Sequence, residues 1–357
     1  MGRASRRVVI LVAAGVLAVG LGGMAATGAA AAVPTTGQAS AAVTLSSNPV
    51  LFGVSAVSRS DAWAVGRQNS TGVFKTLILH WNGTAWTQVK SPNPSSNPPY
   101  TPANSLDGVS ARSGSDAWAV GNYDHNGVSD ALIVHWNGTA WTQVKSPTAP
   151  RYTDFGLTGV SAVSGSDAWA VGVHGIPSDG GKSGTLIFHW DGTAWTLVKS
   201  PSPGSGTNLL EGVSAVSGSD AWAVGNYSSY YSPGTSRTLV LHWNGTAWSK
   251  INSPTPNPND LNFLEGVSAR SGSDAWAAGR YWNTTGVARS LILHWNGTAW
   301  SKINSPNPGP TANRLSGVSA RSGTDAWAVG DHDTAVSTTN RLIAHWNGTA
   351  WVNALAG

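Results

Sequence analysis

Three features of the sequence predict an all-β chain folded as a six-bladed β-propeller of four-stranded antiparallel blades. The phrase "LHWNGTAW" at 241–248 returns, nearly unchanged, at 79–86, 134–141, 188–195, 293–300 and 344–351. The aspartates of a second phrase, Asp-Ala-Trp, fall at 61, 116, 167, 220, 274 and 325. Their intervals are 55, 51, 53, 54 and 51 residues, the mark of a stacked or radial repeat. Composition agrees: 43 glycines and 19 tryptophans in 357 residues, 41% hydrophobic and 11% charged, suit short strands, many turns and a large core, not a disordered chain.

The first 32 residues are read apart from the repeats. Arg3, Arg6 and Arg7 open the chain, an apolar run follows from Val8 to Leu21, and an alanine-rich stretch ends near Ala32. That is the layout of a cleaved secretory signal. Ser5-Arg6-Arg7 also resembles a twin-arginine signal, but the ordinary Sec route is expected. An uncleaved anchor is the alternative, for which 14 apolar residues are short. Residues 33–50 are expected to be a linker, within which "VTLSSNP" (43–49) resembles the end of a fourth strand that would latch the ring. The full chain has a formal charge of +4; without the three leader arginines it is +4 − 3 = +1. No basic stripe is left for nucleic acid or an anionic membrane surface. With no cysteine, the exported protein must hold together by packing alone.

The repeat region, 51–357, gives four strands per unit. In the fourth copy these are "GVSAV" (212–216), "AWAVG" (221–225), "LVLHW" (239–243) and "TAWSKI" (246–251), each short, apolar and bounded by turn residues. "SGSD" (217–220) is the first turn. Asn244-Gly245 is read as a two-residue hairpin, because both residues tolerate positive φ. Burying three tryptophans per unit returns on the order of 10 kcal/mol, against several tens for ordering roughly 50 residues. Each unit must therefore lean on its neighbours, and six four-stranded sheets do so with fewest exposed edges as a propeller. An open solenoid is the alternative.

The order "GVSAV…DAWAVG…LVLHWNGTAW…SP" resembles a Kelch-type repeat, as in the propeller domain of galactose-oxidase-like proteins, over residues 51–357. The resemblance implies a strand ending in glycine, a variable loop, and a later tryptophan that closes the unit before a proline. Two departures mark a divergent relative. The double glycine is only Val224-Gly225 here, and His-Trp stands where the family has a tyrosine. A galactose-oxidase-like mechanism needs a Cys–Tyr cofactor, which a cysteine-free chain excludes.

His80, His135, His189, His242, His294 and His345, with the six aspartates, occur once per unit. Chemistry sits at one asymmetric place, so a sixfold residue is expected to serve the blade. Each aspartate is expected to cap its tight turn, and each histidine to bond a neighbouring strand or turn. The set resembles the His/Asp/Trp network of WD-repeat propellers. The Asn-Gly-Thr triplets also match a glycosylation sequon, which the hairpin already explains.

Antiparallel strands put the 2–3 and 4–1 loops on one face of the ring. The 2–3 loops vary, with 10, 10, 13, 13, 11 and 11 residues between glycine and the next repeat leucine, while the opposite face is nearly constant. Function belongs on the individual loops of a rigid scaffold. All seven tyrosines map to the variable regions: Tyr100, Tyr123, Tyr152, Tyr227, Tyr230, Tyr231 and Tyr281. So do Trp282 and the extra histidines His125, His174 and His332. These rings suit sugar stacking or a protein contact, or they pack on each other and hold the loops. The candidate ligand-binding residues are Tyr123, Tyr152, Tyr227, Tyr230, Tyr231, Tyr281 and Trp282. The residue before each "GVS" should ring the channel mouth: Phe52, Asp107, Thr158, Glu211, Glu265 and Ser316. The acids Asp107, Glu211 and Glu265 could hold a cation such as calcium or attract a basic group, although a solvated rim is the favoured reading.

The leading expectation is a secreted, monomeric, non-enzymatic recognition module for a glycan or an extracellular protein. An alternative is a carbohydrate-active enzyme using carboxylates from Asp107, Glu211, Glu265, Asp331 or Asp333. A sialidase-like Asp-box is missing, as are G-x-S-x-G, P-loop, H-E-x-x-H and EF-hand motifs. A structural envelope protein is the third class.

Overall fold

The computed structural model describes residues 49–70, 72–95, 103–125, 127–147, 153–175, 182–232, 234–334 and 338–355. The expected leader, most of the expected latch at 43–49, Tyr100 and Tyr152 lie outside them. The described chain is a six-bladed β-propeller, all β, with four antiparallel strands in each blade. Blades 1 to 6 cover 49–89, 104–144, 153–197, 208–251, 262–303 and 313–353, and in each the strands lie in chain order. First strands of successive blades touch one another, so they line the axis.

Blade 4 shows why the sequence folds this way. Its strands are Asn208–Ser217, Asp220–Tyr227, Arg237–Trp243 and Trp248–Ile251. The first two run past the predicted limits on the variable side. Blade 1 likewise starts at Pro49, within the expected linker. In the second strand, alternation sends Trp222 and Val224 to one neighbour and Ala221 and Ala223 to the other, and all four are fully buried. Gly225 ends this run because a Cβ there would lie 2.0 Å from the Leu209 carbonyl oxygen on the paired strand.

The recurring octapeptide is a set of fasteners. His242 Nε2 lies 2.8 Å from Asp220 Oδ1, and its ring packs on Trp222 with centroids 4.2 Å apart. Trp243 Nε1 donates to the Gly218 carbonyl in the first turn, at 3.0 Å. The His–Asp pair recurs in all six blades at 2.8–3.0 Å. Each aspartate thus takes the histidine of its own blade; the turn amide goes to a serine, with Ser219 N donating to Ser217 Oγ at 3.3 Å. The histidine bonds a neighbouring strand's residue as expected, but the aspartate does not cap its turn.

The Asn-Gly turn is longer than a two-residue hairpin. Trp243 pairs with Trp248, so four residues, 244–247, make the connection. Only the glycine has positive φ, at 93°. Asn244 acts through its side chain: Oδ1 accepts from Thr246 N, Thr246 Oγ1 and Ala247 N at 3.0, 2.8 and 3.0 Å. Asp191 does the same in blade 3, and those bonds hold its carboxyl down at about 2.

Between blades the tryptophans meet as expected. Trp222 of blade 4 lies 5.0 Å from Trp295 and 5.3 Å, edge-on, from Trp300, both of blade 5. Ala269 N also donates to Ser214 Oγ across this junction, at 3.0 Å. Equivalent contacts join blades 1–2, 2–3, 3–4 and 5–6. They do not recur between blades 6 and 1 among the described residues. There Trp327 stacks on its own His345, and Val329 is 36% exposed where Val224 is fully buried.

Candidate functional site

The variable loops do converge on one face, held together by small polar residues. The 4–1 loop ends at an asparagine that starts the next blade. Asn208 is buried; its Nδ2 donates to the carbonyls of Ser183 and Gly204 at 2.8 and 2.9 Å, and its Oδ1 accepts from Gly204 N at 2.7 Å. It ties blade 3, the connecting loop and blade 4 together. Asn262 and Asn313 do the same work, and Asn104 makes the corresponding bonds in blade 2. These asparagines were not singled out from the sequence. Their signal was there: N-x-L-x-G-V-S opens four of the six blades.

Beside Asn208 lies a cavity of about 350 Å³ between blades 3 and 4. Its lining includes His174, Lys182, Ser183, Ser202, Ser205 and Gly206. His174 is buried against Gly184, where any Cβ would meet its ring at 2.3 Å, and burial lowers the imidazole pKa. The next 2–3 loop folds over this wall: Gly206 N donates to the Ser228 carbonyl at 3.1 Å, and Tyr230 N to Ser205 Oγ at 3.2 Å. That holds the backbone of Tyr230 beside Ser205, a lining residue, although neither tyrosine ring lines the cavity itself. Their rings meet edge to face at 5.7 Å and are 57% and 86% exposed.

The other candidates are placed differently. Tyr123, Tyr227 and Tyr281 sit in second strands and pack against the cores between blades, rather than on free loops. Burial and the nearby Asp130 raise the Tyr123 pKa. Lys250 lies over the Tyr227 ring at 5.6 Å, and Lys302 lies 4.8 Å from the Tyr281 centroid. Trp282 is half-buried, edge-on to Phe263 at 5.9 Å, with Arg280 over both rings. Tyr152 lies outside the described residues.

The residue before each Gly-Val-Ser is the extra residue of a β-bulge in all six blades. Asp107 accepts from Ser105 Oγ at 3.0 Å, and Glu265 pairs with Arg280. Among the described residues no three His, Asp or Glu side chains are grouped so as to hold a metal ion.

No known family model and no curated protein matches the chain. Solved structures of similar fold do. A GH74 xyloglucanase from Xanthomonas campestris is 13% identical with a TM-score of 0.53, covering 88% of this chain and 46% of its own. A PL25 ulvan lyase is 12% identical at 0.51, covering 86% and 80%. The SapL1 lectin, in complex with α-methyl fucoside, is 12% identical at 0.50, covering 87% and 96%. At these identities the likeness is one of fold, shared by lectins and polysaccharide-active enzymes alike.

Proposed function

We propose that the protein is a secreted, non-enzymatic glycan-recognition module, a divergent Kelch-like propeller that binds a short saccharide between blades 3 and 4. One observation carries the reading: a cavity lined by serine hydroxyls, the Asn208 amide, backbone groups, Lys182 and His174, beside the loop that carries the exposed Tyr230 and Tyr231. A pyranose has one face of C–H bonds, which stacks on an aromatic ring, and an edge of hydroxyls, which bonds to such groups. The volume suits a small ligand. The occurrence of lectins and polysaccharide-active enzymes among proteins of this fold is in keeping with it. The arginine-led apolar start of the chain supports export.

The test is a glycan array probed with the mature protein, followed by calorimetry on each hit. Tyr230→Ala/Tyr231→Ala should weaken binding by about tenfold or more, since lost stacking is worth roughly 1.4 kcal/mol or above. The melting temperature should stay put. Unchanged affinity in the double variant, or no binding across the array, would sink the reading.

A further inference from the structure

Strand pairing gathers a cationic cluster at the outer side of blade 4 that no one segment of the sequence shows. Arg237 opens the third strand directly opposite Tyr227 of the second, on the same sheet face. Lys250 of the fourth strand lies over the Tyr227 ring at 5.6 Å. Blade 5 repeats the set. Arg289 pairs with Tyr281, and Lys302 sits 4.8 Å from the Tyr281 centroid and donates to its hydroxyl at 3.2 Å. Each ring thus steadies a lysine by attraction to its π face. Arg237, Lys250 and Lys302 are exposed, and Arg289 is half-buried. None of these four cations is ion-paired among the described residues. Asp260, on the loop beside Arg237, directs its carboxylate to the Leu261 amide at 2.7 Å.

Other blades fill the same positions differently. Opposite the second-strand residue, blade 2 has Asp130, blade 3 Gly184 and blade 6 Asn340. Blade 1 has Lys75, but with Gln68 and Gln88 in place of the tyrosine and the second cation. The packing of a blade therefore does not call for the set. A feature confined to two adjacent blades is individual in the way binding surfaces are. The clusters recur with the blade, so a ligand whose negative charge recurs along its length meets both. We propose that the outer rim of blades 4 and 5 binds an acidic polysaccharide, its carboxylates or sulfates held by Arg237, Lys250, Arg289 and Lys302. Arginine offers such a group a planar fork of donors, and lysine a point charge. Four cations are few for a nucleic acid, whose binders meet about 6–10 phosphates. They suit a chain whose charges are spaced by sugar rings. The rim is separate from the cavity beside Asn208, and its role goes beyond the saccharide reading of that cavity.

The test titrates the mature protein at low ionic strength with polygalacturonate, dextran sulfate, neutral dextran and duplex DNA. Binding to an acidic polysaccharide is expected, lost in high salt and absent for neutral dextran. The two acidic polymers tell carboxylate from sulfate. Arg289→Gln/Lys302→Gln should weaken that binding about fivefold or more at an unchanged melting temperature. Lys145→Gln/Lys199→Gln removes the same charge from exposed positions just beyond blades 2 and 3, and should leave it intact. Tyr230→Ala/Tyr231→Ala should leave it intact too, so failure of the cavity reading and failure of the rim are told apart. Equal weakening in the Lys145/Lys199 pair would reduce the effect to net charge and overturn the proposal. Loss in the tyrosine variant would move the polymer to the cavity and overturn it as well. So would DNA binding more tightly than both acidic polymers, or no binding to either of them.

Discussion

Trp222→Ala and Trp327→Ala remove the same residue from the same place in the repeat, yet should cost different amounts. Trp222 is fully buried and touches His242, Trp295 and Trp300. Burying an indole of about 150–250 Å² returns roughly 4–6 kcal/mol, and measured core Trp→Ala losses run about 3–5 kcal/mol. Trp327 is only partly buried and keeps one ring partner, His345. Its loss should be near half, about 2 kcal/mol. For some 300 ordered residues the unfolding entropy makes 1 kcal/mol about 1.6 °C. Scanning calorimetry should therefore find Trp222→Ala lower by roughly 5–8 °C and Trp327→Ala by roughly 3 °C. Circular dichroism at 25 °C would confirm that both fold. Equal losses would mean that Trp327 is as enclosed as its counterparts, and the argument from its exposure would fail.

Further outcomes follow from the same geometry. Asp220→Asn and His242→Ala should each lower the melting temperature through the broken His–Asp bond, leaving glycan affinity intact; lost affinity at unchanged stability would make the pair functional. Gly245→Ala should destabilise by about 1–2 kcal/mol, because φ is 93° and the new Cβ would sit 3.0 Å from the Ser219 Cβ; urea titration showing no loss would contradict the turn geometry. Asp191 has a folded pKa of about 2, below the usual 3.8, so its contribution is full above about pH 4 and is lost as pH falls toward 2. Carboxyl carbon NMR should place its midpoint near 2, and a midpoint near 4 would remove the turn bonds from the account. Burial lowers the His174 pKa, so neutral imidazole is favoured in the fold. Its contribution is present above about pH 6.5 and declines as pH falls below that value, where the unfolded chain takes up the proton first. An NMR midpoint for His174 above 6.5 would reverse the sign.

Much of the blade was legible because its determinants are local. Alternation along Ala221–Gly225 places side chains on two faces, and glycine and asparagine mark the turns whatever lies around them. The His–Asp–Trp set was legible as a repeated element of every blade from its sixfold occurrence alone. The partners within it could not: an aspartate in that position is equally able to bond its own turn, and the structure pairs it with His242, whose ring packs on Trp222. Tyr227 and Tyr230 looked equivalent as loop aromatics. The second strand runs two residues past its expected end and lays Tyr227 against the core, and Ser205 from a different loop props up Tyr230.

Sequence alone thus determined the strand count, the blade, the identity of the inter-blade tryptophans and the face on which individuality lies. Each depends on contacts within one repeat or on copying them six times. The tertiary structure decided which tyrosines reach solvent, where a cavity opens, and whether the last blade meets the first. Those depend on how loops and faces from different blades meet, which no single repeat encodes visibly.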